Sequence, residues 1–177
     1  RGLVGSEMCI RDRYQTELTT LSNGKQVDSR IYPALQDLFD AMRADGIYPI
    51  VREGYRTTTD QQSILDDKIK AYEQEGLSSL LAKKMASEWV AAPGTSEHQL
   101  GIAVDINADK TKSTNDEVYT WLAEHAWEYG FILRYPKDKE NVTGTGYEPW
   151  HYRYVGKEAA KEIWQEGCCL EEYVTQN

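Results

Sequence analysis

Two short segments of this 177-residue chain combine a histidine with a carboxylate. In the first, His98 precedes Asp105, which lies in the apolar run 102–106, where a carboxylate is costly to bury unless it is paired or bound to a cation. In the second, Glu148 precedes His151. Two histidines and one carboxylate are a known ligand set for catalytic zinc, with the fourth position left to water. The pattern therefore predicts one Zn²⁺ held by His98, Asp105 and His151.

Glu148 is the candidate general base beside that metal. Zinc lowers the pKa of a bound water to about 7, and a carboxylate that does not bind the metal can accept the proton. Arg56 is the second candidate catalytic residue, because a guanidinium offers planar, paired donors to a carboxylate or a carbonyl oxygen. From the residues alone, a surface ion pair of Arg56 with Glu53 or Asp60 is an equal alternative.

The chain has three histidines, and the third provides a contrast. His125 lies in the helical pattern 121–127 (WLAEHAW), with no apolar strand or Pro-Gly loop beside it. We interpret it as an ordinary helix residue. A single histidine is more often a surface or core group than a ligand, so the metal hypothesis depends on the combination of both segments.

The elements that must position these residues are predicted from hydrophobic periodicity and from helix caps and breakers. Helices are predicted at residues 31–44, 78–91, 115–129 and 157–166, and a further helix capped by Thr59 or Asp60 is predicted to run to about residue 75. Strands are predicted at residues 47–51, 101–107, 131–135 and 150–155. The regular alternation of βαβ units is absent. The predicted fold is therefore a single α+β domain, with a small, mainly antiparallel sheet flanked by helices and the zinc site on a sheet face.

Three finer expectations concern individual segments. Gly101 and Ala103 should share the strand face of Asp105 and leave room for metal and substrate. Leu81, Met85 and Trp89 are spaced four apart, which predicts a shared face of the 78–91 helix. Residues 14–30 are polar and rich in turn formers, with a turn at 22–25 (SNGK).

Composition excludes several classes of function. The formal charge is −9 and no basic stripe is visible, so a nucleic-acid partner is not expected. No run of 18 apolar residues exists, so no membrane span is expected in this chain. The three cysteines form neither a Cys-x-x-Cys pair nor a disulfide framework, and Cys168 and Cys169 are expected to pack near the end of the last helix. The sequence carries no signal for an oligomeric state.

Residues 1–13 (RGLVGSEMCIRDR) stand apart from the rest of the chain. They have neither helical nor strand periodicity and join abruptly to the polar segment that begins at residue 14. They resemble a peptide translated from sequencing-adapter DNA, so we expect an artefactual leader at 1–13 and a functional domain at 14–177. If the true N-terminus is missing, a native signal peptide or membrane anchor is expected to be missing with it.

Four motifs carry a resemblance to a known family. Residues 96–105 (SEHQLGIAVD) resemble the S-x-H-x-x-G-x-A-x-D motif of the VanY-type D-alanyl-D-alanine carboxypeptidases, and residues 148–151 (EPWH) resemble their E-x-W-H motif. Residues 54–57 (GYRT) are similar to a third signature, usually S-G-Y-R-S, and residues 129–136 (YGFILRYP) to a further shared block. Their order and spacing also agree, and the resemblance covers roughly residues 31–164.

The resemblance implies roles by position. It assigns the zinc ligands to His98, Asp105 and His151, catalysis to Glu148 and substrate support to Arg56. Gln61, Ser96 and Tyr135 match positions that line the peptide site in the related L,D-carboxypeptidases, and Trp150 is expected to pack beside the site. Two positions depart from the usual signature, with Glu53 in place of a serine and Thr57 in place of another. Glu53 adds a carboxylate near Arg56, which either weakens its hold on a substrate carboxylate or faces solvent.

The implied activity is removal of a C-terminal D-alanine from peptidoglycan stem peptides. Glu148 would deprotonate the water that attacks the terminal peptide bond, zinc and Arg56 would stabilise the oxyanion, and Glu148 would return the proton to the leaving nitrogen. Glu148→Ala should then keep zinc and lose most turnover, whereas His151→Ala should lose both. The alternatives are an L,D-carboxypeptidase acting on tetrapeptide stems, towards which residues 129–156 lean slightly, and a non-catalytic module that binds cell-wall peptide. The substrate implies a location outside the cytoplasm, at the cell wall or anchored to the membrane.

Overall fold

The computed structural model describes residues 17–176, so the expected leader at residues 1–13 lies outside the described residues. The described strands form a four-stranded sheet and a separate two-stranded hairpin, and every pair is antiparallel. The strands are β1 (Leu18–Thr20), β2 (Gln26–Asp28), β3 (Pro49–Glu53), β4 (Ala103–Ala108), β5 (Phe131–Leu133) and β6 (His151–Tyr154). The order in the larger sheet is β3-β4-β6-β5, and the predicted α+β class is confirmed.

Seven α-helices and two 3₁₀ segments surround this sheet within residues 17–176. The α-helices are α1 (Tyr32–Ala44), α2 (Thr58–Gln74), α3 (Ser79–Trp89), α4 (Asn115–His125), α5 (Glu140–Thr143), α6 (Lys157–Glu166) and α7 (Leu170–Gln176). The 3₁₀ segments are η1 (Glu97–Leu100) and η2 (Ala126–Tyr129). None of the helices among these residues is long and apolar enough to span a membrane.

The two faces of β4 have different environments because successive strand residues point to opposite sides of a sheet. Val104 and Ile106 belong to the hydrophobic core, where helices α1 and α4 contribute most of the helical side chains. Asp105 lies on the opposite face and is paired in register with His151 of β6. Directly opposed residues of an antiparallel pair have Cβ atoms about 4.5–5.5 Å apart. The register alone therefore brings two of the predicted ligands together on the face away from the core.

Several predicted elements differ in their bounds. Residues 17–30 contain the hairpin of β1 and β2 around the predicted turn, and the predicted helix 115–129 divides into α4 and η2. Helices α5 and α7 and segment η1 were not predicted. The N-cap of α2 is Thr57, two or three residues before the expected cap at Thr59 or Asp60. The Thr57 hydroxyl accepts from the Asp60 N–H, and the Asp60 carboxylate accepts from the Thr57 N–H.

One expectation about residue placement was wrong. Gly101 does not belong to the strand but ends η1 with φ +73°, a left-handed conformation that glycine adopts without strain. A Cβ there would also lie 3.0 Å from the Asp28 nitrogen of the hairpin. In α3, Leu81 and Trp89 are about half exposed, and the small residues Ala82 and Ala86 form the buried face.

Candidate metal centre and active site

Three buried side chains from η1, β4 and β6 converge on one point. One donor atom from each of His98, Asp105 and His151 lies within 4.8 Å of the others. Within residues 17–176, these side chains form a cluster of histidine and carboxylate donors that could hold a metal ion. His98 Nε2 lies 3.3 Å from Asp105 Oδ1, and His151 Nδ1 lies 3.0 Å from the same oxygen. The two imidazole rings meet edge to face with centroids 4.8 Å apart. The structure thus brings all three predicted ligands together.

His98 is oriented by backbone atoms. Its Nδ1 lies 2.9 Å from the carbonyl oxygen of Gly54, and its own carbonyl accepts from the Arg56 N–H at 3.1 Å. The Gly54 backbone can take this position because it has no side chain: a Cβ there would lie 2.2 Å from the Gln26 carbonyl oxygen of β2. The hairpin and the residues after β3 therefore fix the ring of His98.

His151 is oriented by charged side chains. Its Nε2 lies 3.2 Å from Glu97 Oε2, and the other oxygen of Glu97 accepts from Arg134 at 2.6 Å and from Arg153 at 2.8 Å. Glu97 and Arg134 are about nine-tenths buried. A buried carboxylate with two guanidinium partners is well compensated, so Glu97 can serve as a fixed acceptor for the His151 ring.

The hydrogen-bond partners of the two rings leave nitrogen lone pairs directed at the centre. A carbonyl or a carboxylate can only accept, so His98 Nδ1 and His151 Nε2 must each carry a hydrogen. The opposite nitrogens then point lone pairs at the carboxylate of Asp105, an arrangement that is repulsive unless a proton or a cation lies between them. Metal-bound histidines usually donate their second N–H to a carbonyl or carboxylate, as both do here. The donor set therefore fits a divalent cation such as zinc.

The pKa values reflect the same crowding of donors around one point. Burial lowers the pKa of His151, but its hydrogen bonds to Asp105 and Glu97 outweigh burial and raise it to about 9. Burial opposes ionisation of Glu97, yet His151, Arg134 and Arg153 hold its pKa at about 2. The pKa of Asp105 is likewise held well below its usual range, because the two histidines outweigh its burial. Both carboxylates are thus charged at neutral pH, and Asp105 is available to bind a cation.

Glu148 lies at the edge of the metal centre rather than within it. Its Oε2 is 3.8 Å from His151 Nδ1, and the side chain is largely buried. Burial raises its pKa to about 7, with a further rise from Asp105 and an opposing contribution from His151. Glu148 N donates to the carbonyl of Tyr135, which fixes the start of the segment leading into β6. A carboxylate held beside an open metal position is suited to proton transfer.

Arg56 reaches the same centre from the residues that come after β3. Its Nη2 lies 3.8 Å from Asp105 Oδ2, and its Nη1 donates to Gln61 Oε1 at 3.3 Å. The ion pair with Glu53 is also present, at 3.6 Å from Nε, whereas Asp60 is engaged in capping α2. The buried Nε has no hydrogen-bond partner among the described residues. The Arg56 side chain is therefore largely buried in the site, although it also pairs with Glu53.

A cavity of about 520 Å³ opens over the proposed metal centre and is lined by all the predicted substrate-binding residues. Its lining includes Arg56, Gln61, Ser96, Tyr135 and Trp150 together with the ligands and Glu148. Burial and the charge of Glu97 raise the pKa of the Tyr135 hydroxyl to about 12, so it stays protonated and able to donate. The hydroxyl of Ser96 accepts from the His98 N–H at 3.3 Å, and Gln61 Nε2 donates to the Ala91 carbonyl at 2.8 Å. These last two residues thus also have structural contacts.

Sequence reasoning missed the residues that support the ligands. Glu97 lies inside the quoted motif, but its partners Arg134 and Arg153 come from the residue after β5 and from β6, far along the chain. The available signal was a pair of arginines within apolar strand patterns, since a charge in such a place requires a partner. His125, by contrast, contacts Glu128 at 3.0 Å and packs on the ring of Trp121.

Comparisons with known proteins agree with this geometry. The family model described as D-alanyl-D-alanine carboxypeptidase (VanY) matches residues 24–157. A D-alanyl-D-alanine carboxypeptidase from Enterococcus faecalis (strain ATCC 700802 / V583) is 59% identical over 172 residues, which are 97% of this chain and 64% of the relative. The chain thus spans less than two thirds of the length of this curated relative.

Solved structures share the fold over most of this chain. VanYB in complex with D-alanine-D-alanine has a TM-score of 0.90 at 60% identity, over 92% of this chain and 90% of that chain. A mutant of the vancomycin resistance D,D-pentapeptidase VanY in complex with Zn(II) has a TM-score of 0.89 at 60% identity, over 92% of both chains. The LD-carboxypeptidase LdcB has a TM-score of 0.73 at 37% identity, over 89% of this chain and 72% of that chain. The chain therefore belongs to the VanY family of D-alanyl-D-alanine carboxypeptidases.

Proposed function

We propose that this chain is a zinc-dependent D,D-carboxypeptidase that removes the terminal D-alanine from peptidoglycan stem peptides. The observation that carries the proposal is the convergence of His98, Asp105 and His151 in a cavity, with both outer ring nitrogens already engaged. The zinc and D-alanine-D-alanine complexes of structures about 60% identical to this chain support the choice of metal and substrate class.

Glu148 is the residue that moves the proton. Zinc, when bound by this donor set, supplies a Lewis acid that acidifies water and polarises a carbonyl. Glu148 takes the proton of the attacking water and delivers it to the departing amine nitrogen of D-alanine. Its carboxylate lies beside His151 and accepts no hydrogen bond from the residues that the structure describes, which leaves it free for both transfers.

Arg56 and Tyr135 are the groups that hold the peptide. Arg56 presents N–H groups to the cavity from a buried position next to Asp105, where it can stabilise charge on the oxygen of the attacked carbonyl. The neutral hydroxyl of Tyr135, whose ring packs against that of His151, can donate to the peptide or to its terminal carboxylate. These two donors would orient the terminal peptide bond over the centre.

The D,D activity is preferred to the L,D alternative on similarity. The chain is 60% identical to structures described as VanYB and as a D,D-pentapeptidase, and 37% identical to LdcB. A non-catalytic peptide-binding module is the alternative from a different class. It is disfavoured by Glu148, because a binding module has no use for a buried carboxylate beside an open metal position. The substrate class implies action outside the cytoplasmic membrane, at the cell wall.

The discriminating experiment is a product analysis with defined stem peptides. Zinc-loaded protein is incubated separately with a pentapeptide ending in D-alanyl-D-alanine and with the corresponding tetrapeptide, and the products are weighed by mass spectrometry. We expect release of one D-alanine from the pentapeptide and no change in the tetrapeptide. Release from the tetrapeptide alone would establish the L,D alternative. Binding of either peptide without cleavage would support the module.

A further inference from the structure

A continuous chain of charged side chains joins the C-terminal helix α7 to the metal centre. Glu171 of α7 accepts from Arg134 through both carboxylate oxygens, at 3.0 Å from Nη1 and 2.5 Å from Nη2. Arg134 Nε donates to Glu97 Oε1 at 2.6 Å, and Glu97 Oε2 lies 3.2 Å from His151 Nε2. Three consecutive contacts therefore connect a residue of α7 with a proposed zinc ligand. Helix α7 lies beyond the span 24–157 that the family model matches.

Burial makes this chain of contacts stronger than a surface ion pair. The side chains of His151, Glu97 and Arg134 are 5%, 10% and 12% exposed, and that of Glu171 is 31% exposed. Charges so far from bulk water are little screened, and removal of one partner leaves the next charge without compensation. The bidentate contact with Glu171 also fixes the plane of the Arg134 guanidinium, and with it the direction in which Nε meets Glu97.

We propose that Glu171 is a positioning residue for the metal centre, acting on the His151 ring through Arg134 and Glu97. The inference rests on the proposed function, because it requires that His151 binds zinc. Without the negative charge of Glu171, Arg134 is held by its one N–H contact with Glu97 and by its contact with the ring of Tyr135. Glu97 then loses a fixed partner, and the tilt of the His151 ring is less well defined.

The same helix offers a matched control. Glu172, the next residue, pairs with Lys139 at 2.9 Å and also fastens α7 to the segment after β5. It has no contact with Glu97 or His151 among those of the described residues. Glu171→Gln and Glu172→Gln each remove one charge from α7, but only the first interrupts the chain of contacts to His151. A general loosening of the helix would affect both variants alike.

The test is zinc affinity, measured by competition with a chromophoric chelator on the full chain, together with the thermal midpoint of the metal-free protein. We expect Glu171→Gln to weaken zinc binding about tenfold, at the low end of the ~10–100-fold typical for loss of a residue that supports a ligand. Glu172→Gln should leave the zinc affinity unchanged. The thermal midpoints of the two metal-free variants should be similar. In a Glu97→Gln background, Glu171→Gln should have no further effect, since its route to His151 is already interrupted.

Three results would overturn the inference while leaving the proposed function intact. These are unchanged affinity in Glu171→Gln, equal losses in both α7 variants, and an undiminished effect of Glu171→Gln in the Glu97→Gln background. Failure of the proposed function has a different signature. Wild-type protein that binds zinc no more tightly than His151→Ala would overturn the metal site itself, and the inference with it.

Discussion

The two proposed histidine ligands are held in place by different kinds of structure. His98 is fixed by backbone atoms, through the Gly54 carbonyl and the close approach of the hairpin at Gln26. His151 is fixed by charges, through Glu97 and the arginines that surround it. The first arrangement depends on steric fit and the second on buried ion pairs. The same metal centre should therefore respond to packing changes on one side and to charge changes on the other.

The largest effect should follow from removal of either ligand. His98→Ala or His151→Ala leaves two protein donors, too few to hold zinc in a catalytic site of the usual three-ligand type. Both variants should lose stoichiometric zinc and D-alanine release, as determined by metal analysis and product assay. The two sides are equivalent at this level, so retention of tight zinc by one variant alone would remove that histidine from the ligand set.

On the charged side, Glu97→Gln should weaken zinc binding substantially. The change keeps the size of the side chain but removes the negative charge that His151, Arg134 and Arg153 share. We expect an affinity loss of about 10–100-fold, measured by chelator competition. Zinc affinity equal to that of the wild type would mean that the orientation of His151 does not depend on this carboxylate.

On the backbone side, Gly54→Ala should act through packing. The added Cβ would lie 2.2 Å from the Gln26 carbonyl oxygen, so the hairpin or the Gly54 carbonyl must move. We expect a loss of about 1–3 kcal/mol in the free energy of unfolding of the metal-free protein, measured by urea denaturation. Unchanged stability would show that the hairpin can move away at no cost in free energy. It would then weaken the contrast between the His98 side and the His151 side.

The smallest effect should come from an exposed charge near the backbone side. Lys25 lies 3.9 Å from Glu53, and both side chains are partly exposed. Because exposed ion pairs contribute about 0–1 kcal/mol, Lys25→Ala should leave both stability and zinc affinity close to those of the wild type. A large change in stability or in zinc affinity would show that the His98 side of the site also depends on charged side chains.

The sequence predicted the metal ligands better than the residues that hold those ligands in place. His98, Asp105 and His151 could be chosen because histidines are few and a carboxylate in an apolar strand demands a partner. The role of Glu97 was not predicted because it depends on Arg134 and Arg153, which only the folded sheet brings close to it. Gly101 was predicted to lie in the strand because η1, which it ends in a left-handed conformation, was not predicted.

The short helix α7 was also hard to predict, for a different reason. None of its residues is fully buried. Leu170 and Tyr173 are only partly buried against the cluster of Ile132, Ala160 and Ile163. Ion pairs with Arg134 and Lys139 also hold this short helix, so it shows little hydrophobic periodicity. Helices α1 and α6 were predicted within one residue because their buried faces recur at helical spacing. Periodicity thus identifies helices with a continuous buried face and misses a short helix that combines partial apolar contact with ion pairs.

The central claim is that zinc binding and proton transfer are carried by different residues of one site. Glu148→Gln tests it most directly, with zinc content and D-alanine release from the pentapeptide measured on the same preparation. We expect one zinc per chain, as in the wild type, and a rate of release lower by about 10²–10⁴-fold, the usual contribution of general acid–base catalysis. Near-full release by a zinc-loaded Glu148→Gln protein would contradict the account.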